Sequence, residues 1–301
     1  MSATSSEKVE KKESKKEERN LTIPKSKKST YIIAAVMVVL LAVGIYFLFV
    51  FRKATKDISP DDKSFGEIKK IDEIKLTDRP YVTLTPTPDG AEIIMSISGM
   101  TYFDKIEYEL TYEADNPASP DTKIQRGATG SDVNTKDATY KKSILLGTAS
   151  RGVRSPDRGI LNGLLTMHLF KGDLEYLSES TWDMSTIGLT SNTIKTRDGN
   201  LEIEVPDLPK DYWVILANTI GIPAGGKFET ANVQLPVYGA FSIAGAFPSD
   251  GTITIKERGG NKLFGFNNAD KSWKELTASG EGGMLTAKIS GFATYVVVSS
   301  K

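Results

Sequence analysis

The chain contains no cysteine and one histidine, His168, among its 301 residues. The first absence excludes disulfides, thiolate-bound zinc, iron–sulfur clusters and cysteine nucleophiles. The second excludes metal sites built from several imidazoles. Beyond residue 76 no long stretch carries the 3.6-residue apolar stripe of an amphipathic helix, which argues against a Rossmann or α/β-barrel enzyme. An overall excess of one charge is also missing, since 38 Lys+Arg balance 38 Asp+Glu. The charges are nevertheless segregated. Residues 1–30 hold 9 basic and 5 acidic side chains and residues 31–51 hold none, which leaves 29 basic against 33 acidic in 52–301, a net of −4. A body of that sign argues against nucleic-acid binding, which needs a basic surface.

What is present begins with a run of 21 uncharged residues, Tyr31–Phe51. As a helix rising about 1.5 Å per residue it spans about 30 Å, the thickness of a bilayer's hydrocarbon core. Soluble core helices keep a polar face, whereas this run is apolar all round. It is too long for the apolar region of a cleaved signal peptide and ends in Phe-Arg-Lys rather than a small-residue cleavage site. The expectation is an uncleaved signal anchor whose partner is the lipid bilayer. Lys/Arg within 20 residues number 8 on the N-terminal side and 6 on the C-terminal side. That bias places the N-terminus in the cytoplasm and the C-terminal bulk outside it, in a single-pass cell-membrane protein. Residues 1–30 are nearly devoid of apolar side chains and read as a disordered cytoplasmic tail. Residues 52–75 read as a juxtamembrane linker, in which Ile68, Ile71 and Ile74 recur every third position.

From Pro80 onward the period is two. In Lys105–Glu113, Ile106, Tyr108, Leu110 and Tyr112 point one way, and Lys105, Glu107, Glu109, Thr111 and Glu113 the other, as in a half-buried strand. Ala91–Ile97, Leu165–Leu169, Leu201–Val205, Thr252–Ile255 and Leu285–Ile289 alternate more briefly. Glycine-rich turns separate them, among them Pro88-Asp89-Gly90 and Asp198-Gly199-Asn200. The fold class expected is mainly β, with two sandwich domains at 76–199 and 200–301 divided at the polar stretch 190–199. Residues 114–139 read as a long loop or edge region.

Motifs that carry chemistry are few. His168 lies on a strand face with Thr166 and Phe170, and no nucleophile elbow accompanies it. Gly221–Phe228 has the spacing of a phosphate loop, but Phe228 stands where a magnesium-binding hydroxyl is required and a strand pattern follows. Glu107, Glu109 and Glu113 read as a solvated face. Asp115/Asn116/Asp121 and Asn267/Asn268/Asp270 lack the order of a calcium loop, and the second reads as a hairpin turn. No catalytic residue, metal or cofactor is expected. Of the three tryptophans, Trp273 reads as core, and Tyr212-Trp213 is the pair best suited to an exposed ligand platform.

The C-terminal order of Trp273-Lys274-Glu275-Leu276, Leu285-Thr286-Ala287-Lys288-Ile289 and Phe292-Ala293-Thr294-Tyr295-Val296-Val297-Val298 resembles the last strands of immunoglobulin-like modules in bacterial and archaeal surface proteins. Tyr108–Tyr112, Leu145-Leu146-Gly147-Thr148 and Gly163–Thr166 resemble single-pass membrane proteins of uncultured bacteria, whose first unit is a cohesin-like or immunoglobulin-like sandwich. The resemblance implies location and fold, and no catalytic residues. It also implies cysteines after Leu-Gly-Thr, which Ala149–Arg154 lacks. The function expected is non-enzymatic: adhesion, envelope organisation or binding of an envelope or surface macromolecule. A membrane regulator with a cytoplasmic tail and a glycan-active enzyme are the alternatives.

Overall fold

The computed structural model describes residues 68–119 and 121–300. The tail, the apolar span at 31–51 and the linker as far as residue 67 lie outside the described residues. Among the described residues no helix is long and apolar enough to cross a membrane. The described fold is mainly β, with helix confined to single 3-10 turns at Ile71–Glu73, Leu76–Asp78 and Thr230–Asn232.

The strands of the first half are β1 Ile68–Lys70, β2 Tyr81–Pro86, β3 Glu92–Ser98, β4 Lys105–Asp115, β5 Lys123–Val133, β6 Thr139–Leu145, β7 Gly147–Ser150, β8 Val153–Pro156, β9 Leu161–Lys171 and β10 Leu174–Ile187. Those of the second half are β11 Thr193–Lys195, β12 Leu201–Glu204, β13 Tyr212–Thr219, β14 Val233–Ser242, β15 Gly251–Lys256, β16 Lys262–Asn267, β17 Ser272–Leu276, β18 Ala278–Glu281, β19 Met284–Ile289 and β20 Thr294–Val298.

One ten-stranded sheet crosses the whole of this region in the order β17-β16-β20-β14-β13-β10-β9-β4-β5, with β1 added in parallel to β10. A three-stranded sheet, β2-β3-β6, and a five-stranded sheet, β11-β12-β15-β19-β18, complete the layers, and β7 and β8 form a separate exposed hairpin. In that hairpin Arg151 and Gly152, both at positive φ, make the two-residue turn that matches strand twist. The stretch 114–139 contributes β5, the edge strand of the large sheet. Its side chains stay largely exposed, so it shows little apolar alternation.

The large sheet supports a core on each face. Successive strand residues point to opposite sides. In β13, Ile215 and Ala217 join the core formed with the three-stranded sheet, whereas Val214 and Leu216 join the core formed with the five-stranded sheet. Val-Ile-Leu-Ala is therefore apolar without alternation because both faces of β13 are covered. Trp182 of β10 is fully buried in the first core, and Tyr295 of β20 is buried in the second. A third, smaller cluster gathers Leu76, Ile222, Val237, Phe264, Val296 and Val298.

The boundary expected at residue 199 thus falls on a shared sheet, because β10 pairs with β13 from Trp182↔Ala217 to Ile187↔Tyr212. The polar stretch 190–199 supplies β11 and a turn rather than a linker. Arg197 fixes it by donating to Asp183 Oδ1 at 2.8 Å and to the carbonyls of Trp182 at 2.7 Å and Gly163 at 3.0 Å.

Residues 68–75, expected in the linker, belong to the folded body. Ile71 and Ile74 are buried, while Ile68 in β1 stays 57% exposed, so the three do not form one helical stripe. The buried Arg79 holds this segment in place, donating to the carbonyl of Ile74 at 2.9 Å and to Asp72 Oδ1 at 3.3 Å.

Candidate functional site

The three-stranded sheet turns Val82, Leu84, Ile93, Met95 and Ile97 into the core. Its outer face is consequently made by the alternate residues, and the registers align them in rows. Tyr81 stands beside Ser98 and Thr139, Thr83 beside Ser96 and Lys141, and Thr85 beside Ile94 and Ser143. Short side chains leave this face low. Between it and segments of the C-terminal half opens a cleft of about 710 Å³. The opposite wall includes Pro223, Ala224, Ser242, Ala244, Asn267, Asn268 and Phe292, with Lys271 at the β16–β17 turn.

The chemistry of the cleft is distinctive. No Asp or Glu lines it, although the body is acidic overall. Among the described residues, the hydroxyls of Thr83, Thr85, Ser96, Ser98 and Thr139 make no hydrogen bond, and Lys141 and Lys271 make no ion pair. Each hydroxyl can both donate and accept, so the face can serve a ligand group of either polarity.

Tyr81 ties the end of this face to the C-terminal half. Its hydroxyl lies 2.6 Å from Thr294 Oγ1 and donates to Asn268 Oδ1 at 3.1 Å. Its ring meets Phe266 edge-on, with centroids 6.2 Å apart. Burial pushes the Tyr81 phenol up to about 12, against the opposing effect of its hydrogen bonds to Thr294 and Asn268.

The structure places Tyr212 and Trp213, the pair expected as a ligand platform, at the start of β13. Both are half-buried, and as neighbours on β13 they face opposite sides of the sheet. Tyr212 packs against the second core under Lys210, whose Nζ lies 5.1 Å from the ring centroid. The Trp213 indole lies against Gly90 in the β2–β3 turn, where any Cβ would collide with it. Gly90 also has φ +68°, so the turn requires glycine on two counts. Neither aromatic lines the cleft.

Trp273, expected in the core, is half-buried at its rim. Its Nε1 donates to the carbonyls of Pro223 and Ala224 at 3.2 and 3.3 Å, and its ring meets Phe228 edge-on with centroids 5.1 Å apart. That contact accounts for Phe228 in the loop that imitates a phosphate-binding motif. A single 3-10 turn and then β14 follow the loop, so no helix N-terminus faces a ligand there.

The remaining motifs have structural partners. His168 Nδ1 lies 2.6 Å from Glu175 Oε1, on the strand face expected for it. Beside it Glu107, Glu109, Thr129 and Ser131 line a shallow depression. Glu113 accepts from Asn162 Nδ2 at 2.9 Å. Lys123 Nζ sits 2.6 Å from Asp115 Oδ1 and pairs that carboxylate with an ammonium group. Asn267 accepts from the Ala269 amide at 2.8 Å and closes the expected hairpin turn. Among the described residues no group of three or more His, Asp or Glu is placed to hold a metal.

The hydroxyls and lysines of the cleft were not singled out by the sequence, and Asn267 and Asn268 were read only as part of a turn. The lining lies on three strands between positions 81 and 141 and on strands and loops beyond 220, and a polar alternate position looks the same whether it faces bulk water or a cleft. No protein-family model matches the chain, and no curated protein matches it.

Proposed function

We propose that this is a membrane-anchored binding protein of the cell envelope, in which 31–51 is the single span and the β body is extracytoplasmic. The body would bind an envelope or surface macromolecule through the cleft over the three-stranded sheet, in the service of adhesion or envelope organisation. The observation that carries the reading is the set of five unengaged hydroxyls on a low sheet face inside a cleft of about 710 Å³. Clefts of that size with convergent polar groups are the usual places for ligands. A binding role also fits the lining, since paired-carboxylate hydrolysis of a glycan has no carboxylate to use there. The sandwich layers are of the immunoglobulin-like or cohesin-like kind, built as a rigid frame for a binding face.

The span is supported by the uncharged 21-residue run, and the orientation by the Lys/Arg bias of its flanks. Protease added to intact cells should remove the C-terminal body, and complete protection would overturn the orientation.

The binding role is tested by co-sedimentation of the detergent-solubilised full chain with purified envelope material. The wild type should sediment with it. Ser96→Trp, which fills the cleft from the centre of the hydroxyl rows, should not. Equal sedimentation of a folded Ser96→Trp variant would overturn the role of the cleft.

A further inference from the structure

We infer that the cleft takes an acidic glycan, a polyhydroxylated chain carrying negative charge. This deepens the proposed function and rests on the cleft being a binding site.

Two features lead to that ligand class. The first is the density of unengaged hydroxyls. Adjacent strands lie about 4.8 Å apart and alternate residues along a strand about 6.8 Å apart. The pairs Ser98–Thr139 and Thr83–Ser96, with Lys141 beside Ser96, therefore present hydrogen-bonding groups one strand spacing apart, close enough for several to reach hydroxyls of one sugar unit or of its neighbour along a chain. Each protein hydroxyl can donate to or accept from a sugar hydroxyl without rearrangement of the backbone. A peptide added as a further strand would bind an unpaired sheet edge through its backbone, whereas these rows lie on the face of the sheet.

The second feature is charge. Residues 52–301 carry a net of −4, yet the cleft lining contains Lys141 and Lys271 and no carboxylate. The two ammonium groups come from unrelated elements, β6 and the β16–β17 turn. Among the described residues neither is neutralised by an ion pair. Two unpaired cations on an otherwise uncharged lining favour an anion and disfavour a cation.

The test uses the full chain in detergent micelles, with oligogalacturonate as the acidic probe and its fully methyl-esterified form as the neutral control. The two share one sugar backbone and differ in charge. Binding is read by calorimetry at low and high salt. The acidic form should bind at least about tenfold more tightly, and the difference should shrink as salt screens the charges. The double variant Lys141→Gln/Lys271→Gln should lose that preference and retain binding of the neutral form. Ser96→Trp should lose both. Circular dichroism and thermal melting confirm that each variant is folded, and Thr83→Val provides a milder cleft variant should Ser96→Trp fail to fold.

Equal binding of acidic and neutral forms, abolished by blocking the cleft, would overturn the charge inference and leave the binding site standing. Binding of poly-glutamate in preference to either sugar, lost in the double variant, would make the site one for acidic peptides and overturn the glycan assignment. Failure of both sugars and of poly-glutamate would overturn the acidic-ligand inference, and unchanged envelope sedimentation of the blocked variant would overturn the binding site itself.

Discussion

The hydroxyl of Tyr81 lies 2.6 Å from Oγ1 of Thr294, joining the first strand of the three-stranded sheet to the last strand of the chain across 213 positions. Thr294 is fully buried, so nothing in solvent can replace the tyrosine hydroxyl. The contact also fixes one wall of the cleft, since Asn268 on the β16–β17 turn accepts from the same hydroxyl.

Removing that hydroxyl should cost more than an average surface change. Tyr81→Phe leaves a buried threonine oxygen without its partner, a penalty of about 1–3 kcal/mol. Thr294→Val should cost a similar amount. The double variant should cost less than the two single changes together, because both groups are then absent. Urea unfolding of the four proteins measures this directly, and strict additivity would show that the two hydroxyls do not depend on each other.

Stability should fall steeply in alkali. Tyr81 and Tyr238 are both pushed up to about 12 from an ordinary value near 10, Tyr81 by burial and Tyr238 by burial together with the Asp198 carboxylate. Between those values the unfolded chain has lost the phenolic protons and the folded chain has kept them. The unfolded state therefore binds fewer protons, and stability declines as pH rises. Below about pH 10 the contribution is fully present. The decline should amount to about 1–3 kcal/mol per tyrosine across this window, and Tyr81→Phe should flatten the curve of unfolding free energy against pH.

A second pH dependence lies at the acid end. Burial works to raise the Asp198 carboxyl, but hydrogen bonds from Thr196, Tyr238 and the Asn200 amide outweigh it and hold the group down to about 2. Its stabilising contribution is present above the ordinary carboxylate value and lost as pH falls toward 2. The side chain is largely exposed, so the effect should be small. Asp198→Asn should destabilise the protein measurably at pH 7 and converge on the wild type near pH 2.

Gly163 should tolerate no side chain. It faces Trp182 directly across the β9–β10 pair, and a Cβ there would overlap the indole ring and the Trp182 carbonyl. Trp182 is fully buried and cannot withdraw. Gly163→Ala should cost about 1–3 kcal/mol through overpacking, seen as a lower melting temperature. An unchanged melting temperature would mean that the ring has somewhere to move.

The shared sheet should make the body from residue 68 onward unfold in one step. Ile215 and Leu216 are neighbours whose side chains enter different cores. Truncation of either to alanine should cost about 2–5 kcal/mol, and either change should lower a single calorimetric transition. Expression of 76–199 or 200–301 alone would expose the β10 or β13 edge and should yield aggregating protein. Two independent transitions would show instead that the halves are autonomous.

Much of the strand content could be read along the chain. Lys105–Glu113 alternates because β4 has one face in the core and one in water, and the structure extends that strand only to Asp115. The alternation failed where burial did not follow it. β5 was legible only as a loop or edge region because an exposed edge strand selects few apolar residues. Residues 68–75 looked like a linker because their charges are frequent and only Ile71 and Ile74 are driven inward. That Tyr212 and Trp213 face opposite sides follows from their places on β13, because a strand sends neighbours to opposite faces. The cleft was invisible because its hydroxyls are spread over β2, β3 and β6 and become a surface only when registers align them.

The sequence by itself determined the mainly β character, the places of many turns, the absence of thiol and multi-histidine chemistry, and the uncharged run at 31–51. These are local properties, set by periodicity, by backbone freedom at glycine and by composition. Only the tertiary structure decided which strands became neighbours, that one sheet would carry a core on each face, and that a hydroxylated cleft free of carboxylates would form on an acidic body. Those outcomes depend on pairings between residues as distant as Tyr81 and Thr294, and no short stretch of chain holds both partners.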